Sequence, residues 1–306
     1  MDINLANTIS GFTCYVKDVQ PDLIVVHGDR PEALAGAIVG SFNNILVGHV
    51  EGGEVSGTID DLIRHSITKL SHAHFVSNEE AGKRLLQMGE SWKTVFELGS
   101  PELDVMFSED LPPVEEAKKH YEVDYSNYAI LVYHPVTTEI SELSDHIKVV
   151  VDSVIESDIN YLVITPNNDS GSDIIVNEYE RFNENRKITI FPSIRFEYYL
   201  TLLKNCQFII GNSSSGVREA SAYGVPSINV GSRQTRRYQC EQVIEVSEDK
   251  AEILKAIGKV AQGEFICTPK THFGDGNSAL RFENILKVSD IWSINIQKQF
   301  IDHYKK

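Results

Sequence analysis

Gly48–His65 reads GHVEGGEVSGTIDDLIRH. The apolar run ILVG from Ile45 leads into it, and Ile59, Leu62, Ile63, Ile67 and Leu70 lead out at helical spacing. Strand, tight polar turn and helix is the unit that sets functional groups at the carboxyl end of a parallel sheet. Gly52, Gly53 and Gly57 permit a sharp turn or a close backbone approach. Thr58 is expected to cap the helix, with Asp61 three residues on as its capping-box partner. Glu51, directly after the strand and between glycines, is a functional candidate, whereas Asp60 reads as part of a solvated acidic face.

The flanking chain repeats the same rhythm. Before it, a strand at Leu23–Val26 is followed by HGDR (His27 to Arg30) and a helix opened by Pro31. After it come the strand HFVS from His74, an amphipathic helix ending near Gly89, the strand TVFEL from Thr94, and a short helix from Pro101. Glu109 to Asp124 is charged and proline-bearing with a helical middle, and reads as a linker. A second series has strands YAILVYHP from Tyr128, YLVITPN from Tyr161, ITIFP from Ile188, FIIG from Phe208 and PSINVG from Pro226, with helices between them. Three helical stretches near Ala251–Ala261, Ala279–Val288 and Ile291–Tyr304 form the tail. Alternation of this kind predicts an α/β chain of two doubly wound domains with a cleft between their strand ends.

Composition narrows the function classes. The 306 residues are 42% hydrophobic and 24% charged, ordinary for a globular protein long enough to bury two cores. A formal net charge of −16 argues against nucleic acid as a partner. A phosphate ligand would have to be held by backbone amides and a few arginines. Cys14, Cys206, Cys240 and Cys267 show neither CxxC nor zinc spacing, so no metal is expected. Reduced cysteines, no leader pattern and no apolar run long enough to span a bilayer predict a cytoplasmic protein without a membrane partner.

Two further stretches carry chemistry. NSSSGVRE (Asn212 to Glu219) lies between a buried strand and a helix, where Ser213, Ser214, Ser215 and Gly216 would leave helix N-terminal amides open to an anion. Glu219, in the first turn, can accept hydrogen bonds from two vicinal hydroxyls. A serine cap with Glu219 as its box partner is the plainer alternative, but three serines and a glycine exceed what a cap requires. A nucleoside diphosphate site is favoured, with Arg233 in GSRQTRR as a charge-assisted donor and Arg236 and Arg237 as solvated residues. His134 ends a strand and is placed for ligand contact or for packing. Asp29 of HGDR stands at an equivalent strand end, as a ligand group or as the cap of the next helix.

In order along the chain, HGDR, HVEGGEVSGTIDDLIRH, HPVTT, PNND, GNSSSGVREAS and GVPSINVGSRQ, with GDGN at Gly274, resemble the hydrolysing UDP-N-acetylglucosamine 2-epimerases. The resemblance runs from about Asp22 to about Arg281 and is nearest to the bacterial sialic-acid-pathway enzymes and the epimerase half of the animal bifunctional enzyme. It implies two Rossmann-like domains in a GT-B-like arrangement. The first would span residues 1–108 joined by a C-terminal helix 291–306, and the second, UDP-binding, residues 109–290. It implies Asp29, Glu51 and Asp61 as catalytic acids, His134 as catalytic histidine and Arg64 as an active-site arginine. Asn167, Ser213, Ser214, Glu219 and Arg233 match uridine-diphosphate contacts, while Asp173 stands where the animal enzyme has a lysine.

The activity implied is conversion of UDP-GlcNAc to ManNAc and UDP through 2-acetamidoglucal, without cofactor or metal, by a homo-oligomer (dimer or tetramer). Three alternatives stay open at this point. They are the same reaction on a UDP-2,4-diacetamido sugar, a two-domain glycosyltransferase, and a UDP-sugar-binding protein without turnover. Relatives open with a strand and a Gly-containing loop whose arginine approaches the phosphates, and this chain starts shortly before HGDR. Weak UDP binding through the second domain and poor epimerase activity are therefore expected of the 306 residues alone.

Overall fold

The computed structural model describes residues 2–56, 59–167, 169–234, 241–288 and 290–302. The chain divides into two compact units, Met1–Phe107 with His272–Lys306, and Ser108–Thr271. In the first unit the elements are α1 (Asp2–Val19), β1 (Leu23–His27), α2 (Pro31–Phe42), β2 (Leu46–Val50) and α3 (Ile59–Leu70). They continue with β3 (Ala73–Val76), α4 (Glu79–Gln87), β4 (Val95–Glu97) and α5 (Pro101–Met106). The four strands are parallel, in the order β1-β2-β3-β4.

Strand β2 is buried along its whole length because its side chains feed two cores. Val47 points into a cluster with Ile24, Val26, Ala37, Val39, Ile67 and Val16, which seats α1, α2 and α3 on one face. Leu46 and Val50 point the other way, with Ala73, Phe75 and Leu98. That opposite face is covered by the chain's far end, through Phe282, Ile285, Ile291, Ile294 and Ile296. A sheet buried on both faces is what makes its strands read as continuous apolar runs.

The second unit contains α6 (Val114–His120), β5 (Ala129–Val132), α7 (Leu143–Glu156), β6 (Tyr161–Ile164), α8 (Ser172–Tyr179) and β7 (Ile188–Phe191). It goes on through α9 (Phe196–Lys204), β8 (Ile209–Gly211), α10 (Glu219–Tyr223), β9 (Ser227–Val230), β10 (Val243–Val246) and α11 (Lys250–Ala261). Its six parallel strands run β10-β9-β8-β5-β6-β7. The chain therefore builds outward from β5 to β7, crosses back, and builds outward again from β8 to β10. Neighbours β5 and β8 form the topological switch point, the place where such sheets bind ligands. One face is filled by Ile147, Val150, Val151, Ile175, Ile253 and Ile257, the other by Ala117, Leu202, Leu203 and Ala220.

Several expectations are corrected. The stretch 109–124 contains α6, whose Ala117, with Val123 after it, is buried in the second core rather than left as a tether. Residues 272–288, including α12 (Ser278–Val288), lie in the first unit and not with residues 109–271. The expected helix 291–306 is, among the described residues, a single 3-10 turn at Asp290–Ser293 followed by irregular chain. Ile294 and Ile296, two apart, both reach the same core, an extended-chain spacing that a helix would not allow. No described helix is long and apolar enough to cross a membrane.

Candidate active site

In the first unit the functional candidates stand where the strands end. Glu51 follows β2 with φ of 62°, the left-handed region that few residues other than glycine occupy. Backbone strain of that kind is held only where the surroundings demand it. Its amide donates to the Phe75 carbonyl (2.8 Å), and its carboxylate is almost wholly buried. The Ser100 hydroxyl donates to Oε1 (2.6 Å), and His27 Nε2 lies 3.2 Å from Oε2. The next turn requires glycine at Gly53, where φ is 81° and a Cβ would run into the Ala81 carbonyl. Glu51 thus joins the ends of β1, β2 and β4.

Beside it, Arg64 on α3 pairs with Asp29 after β1. Helix α2 is entered through Arg30 without a side-chain cap, so Asp29 is an ion-pair partner rather than a helix cap. Arg64 is buried, and its Nε and Nη1 have no protein partner. Buried donors of this kind favour a bound acceptor. Asp61 Oδ1 accepts from the Ser56 amide (2.9 Å), while Oδ2 lies 3.5 Å from His65 Nε2. Thr58, the expected cap, and Gly57 lie outside the described residues.

His49 escaped the sequence reading as a site group. Fully buried on β2, it donates from Nε2 to the Gly28 carbonyl (2.9 Å), and its Nδ1 then accepts from Thr68 Oγ1 (3.2 Å). Burial pulls its pKa down to about 3 against the opposing hydrogen bond, so the ring is neutral near pH 7. His72 and His74 are structural. The first accepts from the Val47 amide and donates to the Ile296 carbonyl, and the second bonds the buried carboxylate of Glu90.

In the second unit Asn212 clasps the switch point. It follows β8 and exchanges two hydrogen bonds with the His134 backbone, accepting from the amide (2.7 Å) and donating to the carbonyl (2.8 Å). Its own carbonyl accepts from Gln234 Nε2 (2.6 Å) and Arg233 Nη1 (3.2 Å). Burial, and then the positive charge of Arg233, bring the His134 ring down to about 4, leaving it neutral with Nδ1 unpartnered.

The serine turn differs from expectation. Ser214–Gly216 forms a 3-10 turn, and α10 starts only at Glu219 and spans five residues. Small side chains let the turn close on itself. The Ser215 amide donates to Ser213 Oγ, Gly216 to Ser213 O, and Val217 and Arg218 to Ser214 O. Those amides are thus engaged, and the groups facing outward are the half-buried Ser213 and Ser214. Ser215 and Gly216 are buried, the former bonded to the Tyr199 hydroxyl and the latter held against Ser227. Glu219 is buried at the start of α10, and Asn167, after β6, is exposed. Arg236 and Arg237 lie outside the described residues. The fold also brings Glu139, His146 and Glu248, from three separate segments, to within 4.8 Å of one another, a set with no signature in the linear spacing.

Residues 1–287 match the family model described as UDP-N-acetylglucosamine 2-epimerase. The chain is 45% identical, over 97% of its length and 79% of the relative's, to a UDP-N-acetylglucosamine 2-epimerase of Neisseria meningitidis serogroup B. It is 31% identical, over 96% of its length and 78% of the relative's, to a hydrolysing UDP-N,N'-diacetylbacillosamine 2-epimerase of Legionella pneumophila. A polysialic acid biosynthesis protein of Escherichia coli is 36% identical over 84% of this chain and 67% of its own. In fold, the chain resembles the Methanocaldococcus jannaschii UDP-GlcNAc 2-epimerase solved with UDP-GlcNAc and UDP. The TM-score is 0.78 at 23% identity, over 92% of this chain and 80% of that one. The chain belongs to the UDP-N-acetylglucosamine 2-epimerase family.

Proposed function

We propose that this protein is a hydrolysing UDP-N-acetylglucosamine 2-epimerase, converting UDP-GlcNAc and water to ManNAc and UDP for sialic-acid-type sugar synthesis. The observation that carries the reading is identity of 45% along 97% of the chain to a relative named for that epimerisation. The site geometry supports it. The C2 hydrogen of a pyranose is not acidic, so the C1–O bond must loosen first and place cationic character on C1. Asp29, Glu51 and Asp61 supply negative charge for that carbon. UDP leaves with the bonding electron pair, a base removes the C2 proton, and the C1–C2 double bond of 2-acetamidoglucal forms. Water oxygen then bonds to C1 as its proton passes to a base, and an acid on the opposite face delivers a new proton to C2.

Two faces of one carbon require more than one proton-handling group. Glu51, hydrogen-bonded between Ser100 and the half-exposed His27, is suited to it in the first unit, as the neutral His134 is in the second. Ser213, Ser214, Glu219, Arg233 and Asn167 form the uridine-diphosphate half of the reading. Among sugars, UDP-GlcNAc is favoured over the diacetamido analogue because identity to the Neisseria relative exceeds that to the Legionella one. Proton NMR with UDP-GlcNAc in deuterium oxide tests the reading. Free ManNAc, UDP and one deuterium at C2 are expected. Transfer of the sugar only to an added acceptor, or turnover of the diacetamido analogue alone, would overturn it.

A further inference from the structure

Helix α3 carries Asp61, Arg64 and Thr68 at spacings of three and four, so they share one face. Arg64 reaches Asp29, and Thr68 reaches His49, which holds Gly28. The helix is thus the part to which the β1 loop is tied. Its carboxyl end meets residues more than 220 positions away. Lys298 Nζ donates to the carbonyls of Thr68 (2.8 Å), Lys69 (3.2 Å) and Ser71 (2.6 Å), in the last turn of the helix and just beyond it, where carbonyls run short of helix partners. The same ammonium lies 2.6 Å from Oε2 of Glu90, whose Oε1 is 2.6 Å from Lys69. Flanking contacts hold the segment in place, with the Ile296 carbonyl on His72, the Ile301 amide on the Gly89 carbonyl, and Lys69 over the Phe300 ring.

We propose that Lys298 is a positioning residue for the epimerase site. By capping α3 it fixes where that helix stops, and so where Arg64, Asp61 and the His49–Gly28 link stand at the strand ends. A cation at a helix carboxyl terminus is favoured by the dipole, and the buried Glu90 carboxylate keeps it there. The role is specific to geometry. Thr68 is one turn from Arg64 and two from Asp61, so any axial shift of α3 moves all three together. This inference rests on the epimerase reading only for its kinetic consequence; the positioning of α3 stands apart from it.

The test compares wild type with Lys298→Met, which keeps the apolar stem, and Lys298→Arg, which restores a cation. All three are assayed at 25 °C with UDP-GlcNAc, after melting curves have placed 25 °C below each transition. Lys298→Met is expected to lose about tenfold or more in kcat with KM within about threefold, and Lys298→Arg to recover most of the loss. Amide hydrogen exchange in residues 59–67 should speed up about tenfold in Lys298→Met, with the second unit's strands unchanged. If the methionine variant does not fold, Phe300→Ala loosens the same segment with Lys298 in place and should show the same exchange pattern. A fall in melting temperature with unchanged kcat and unchanged exchange in α3 would overturn the proposal. A wild type that does not turn over UDP-GlcNAc defeats the epimerase reading alone, because the exchange measurement still decides the role of Lys298.

Discussion

Glu51 and Glu219 make separable predictions because they sit in different units. Glu51→Gln keeps shape and removes charge from the group that joins Ser100 and His27. Turnover is expected to fall about a hundredfold or more, with UDP affinity unchanged. Glu219→Ala should do the reverse at the binding level, weakening UDP by about 1–3 kcal/mol in calorimetry. Normal turnover in the first variant would return Glu51 to a purely structural role. Unchanged affinity in the second would move the nucleotide away from α10. Glu51 was visible in the chain because it lies directly after an apolar strand among glycines, and Glu219 because it follows a serine-rich turn at the start of a helix. His49, Ser100 and Asn212 were not. Their partners are 19 to 78 positions away, so their significance arises only when parallel register brings strand ends together.

At the scale of elements, the strand–helix alternation was legible because both faces of each sheet are covered, which turns strands into unbroken apolar runs. Helix α1 and strand β10 escaped notice. Only Val16 of α1 is fully buried, and β10 is half-buried at the sheet edge, so neither shows a strong period. The segment 294–302 misled because Ile294 and Ile301, seven apart, suit a helix, whereas Ile294 and Ile296 share one core and Ile301 is exposed. The Asn212 clasp offers a test at this level. It joins the ends of β5 and β8 and the loop carrying Arg233. Asn212→Ala orphans a buried amide and a buried carbonyl and is expected to destabilise by about 1–3 kcal/mol for each. Urea denaturation reads this out as a lower midpoint at constant slope. An unshifted midpoint would mean that the loops hold themselves.

For the whole molecule, buried neutral histidines set the response to acid. His49 is held down to about 3 and His134 to about 4, both chiefly by burial, and His74 is lowered for the same reason. An unfolded histidine titrates near 6.5, so between about pH 6.5 and 4 the unfolded chain binds more protons than the folded one. Stability is therefore complete above pH 6.5 and falls as pH drops, by up to about 1.4 kcal/mol per unit for each such ring. Glu90 adds to this at lower pH. Burial pushes its carboxyl up, but the His74 hydrogen bond and the lysine charges overcome that and hold it near 2. Its contribution is present above about pH 4.5 and is lost as pH falls through 2. Melting temperature should decline steadily from pH 7 to 5, and a flat profile there would contradict neutral burial of these rings. The strand order β1-β2-β3-β4 has one more consequence, for a chain made in one direction. Right-handed crossovers that always step the same way leave every intervening helix on a single face. Leu46, Phe75 and Phe96 on the opposite face must then wait, bare, while the ribosome makes the whole second unit. At roughly 5–20 residues per second, the ~200 residues between Leu98 and Lys298 take about 10–40 s. Of the two sheets, the one translated first is thus the last to be closed, and the nascent chain carries an adhesive surface until Phe282 to Ile296 arrive to seal it.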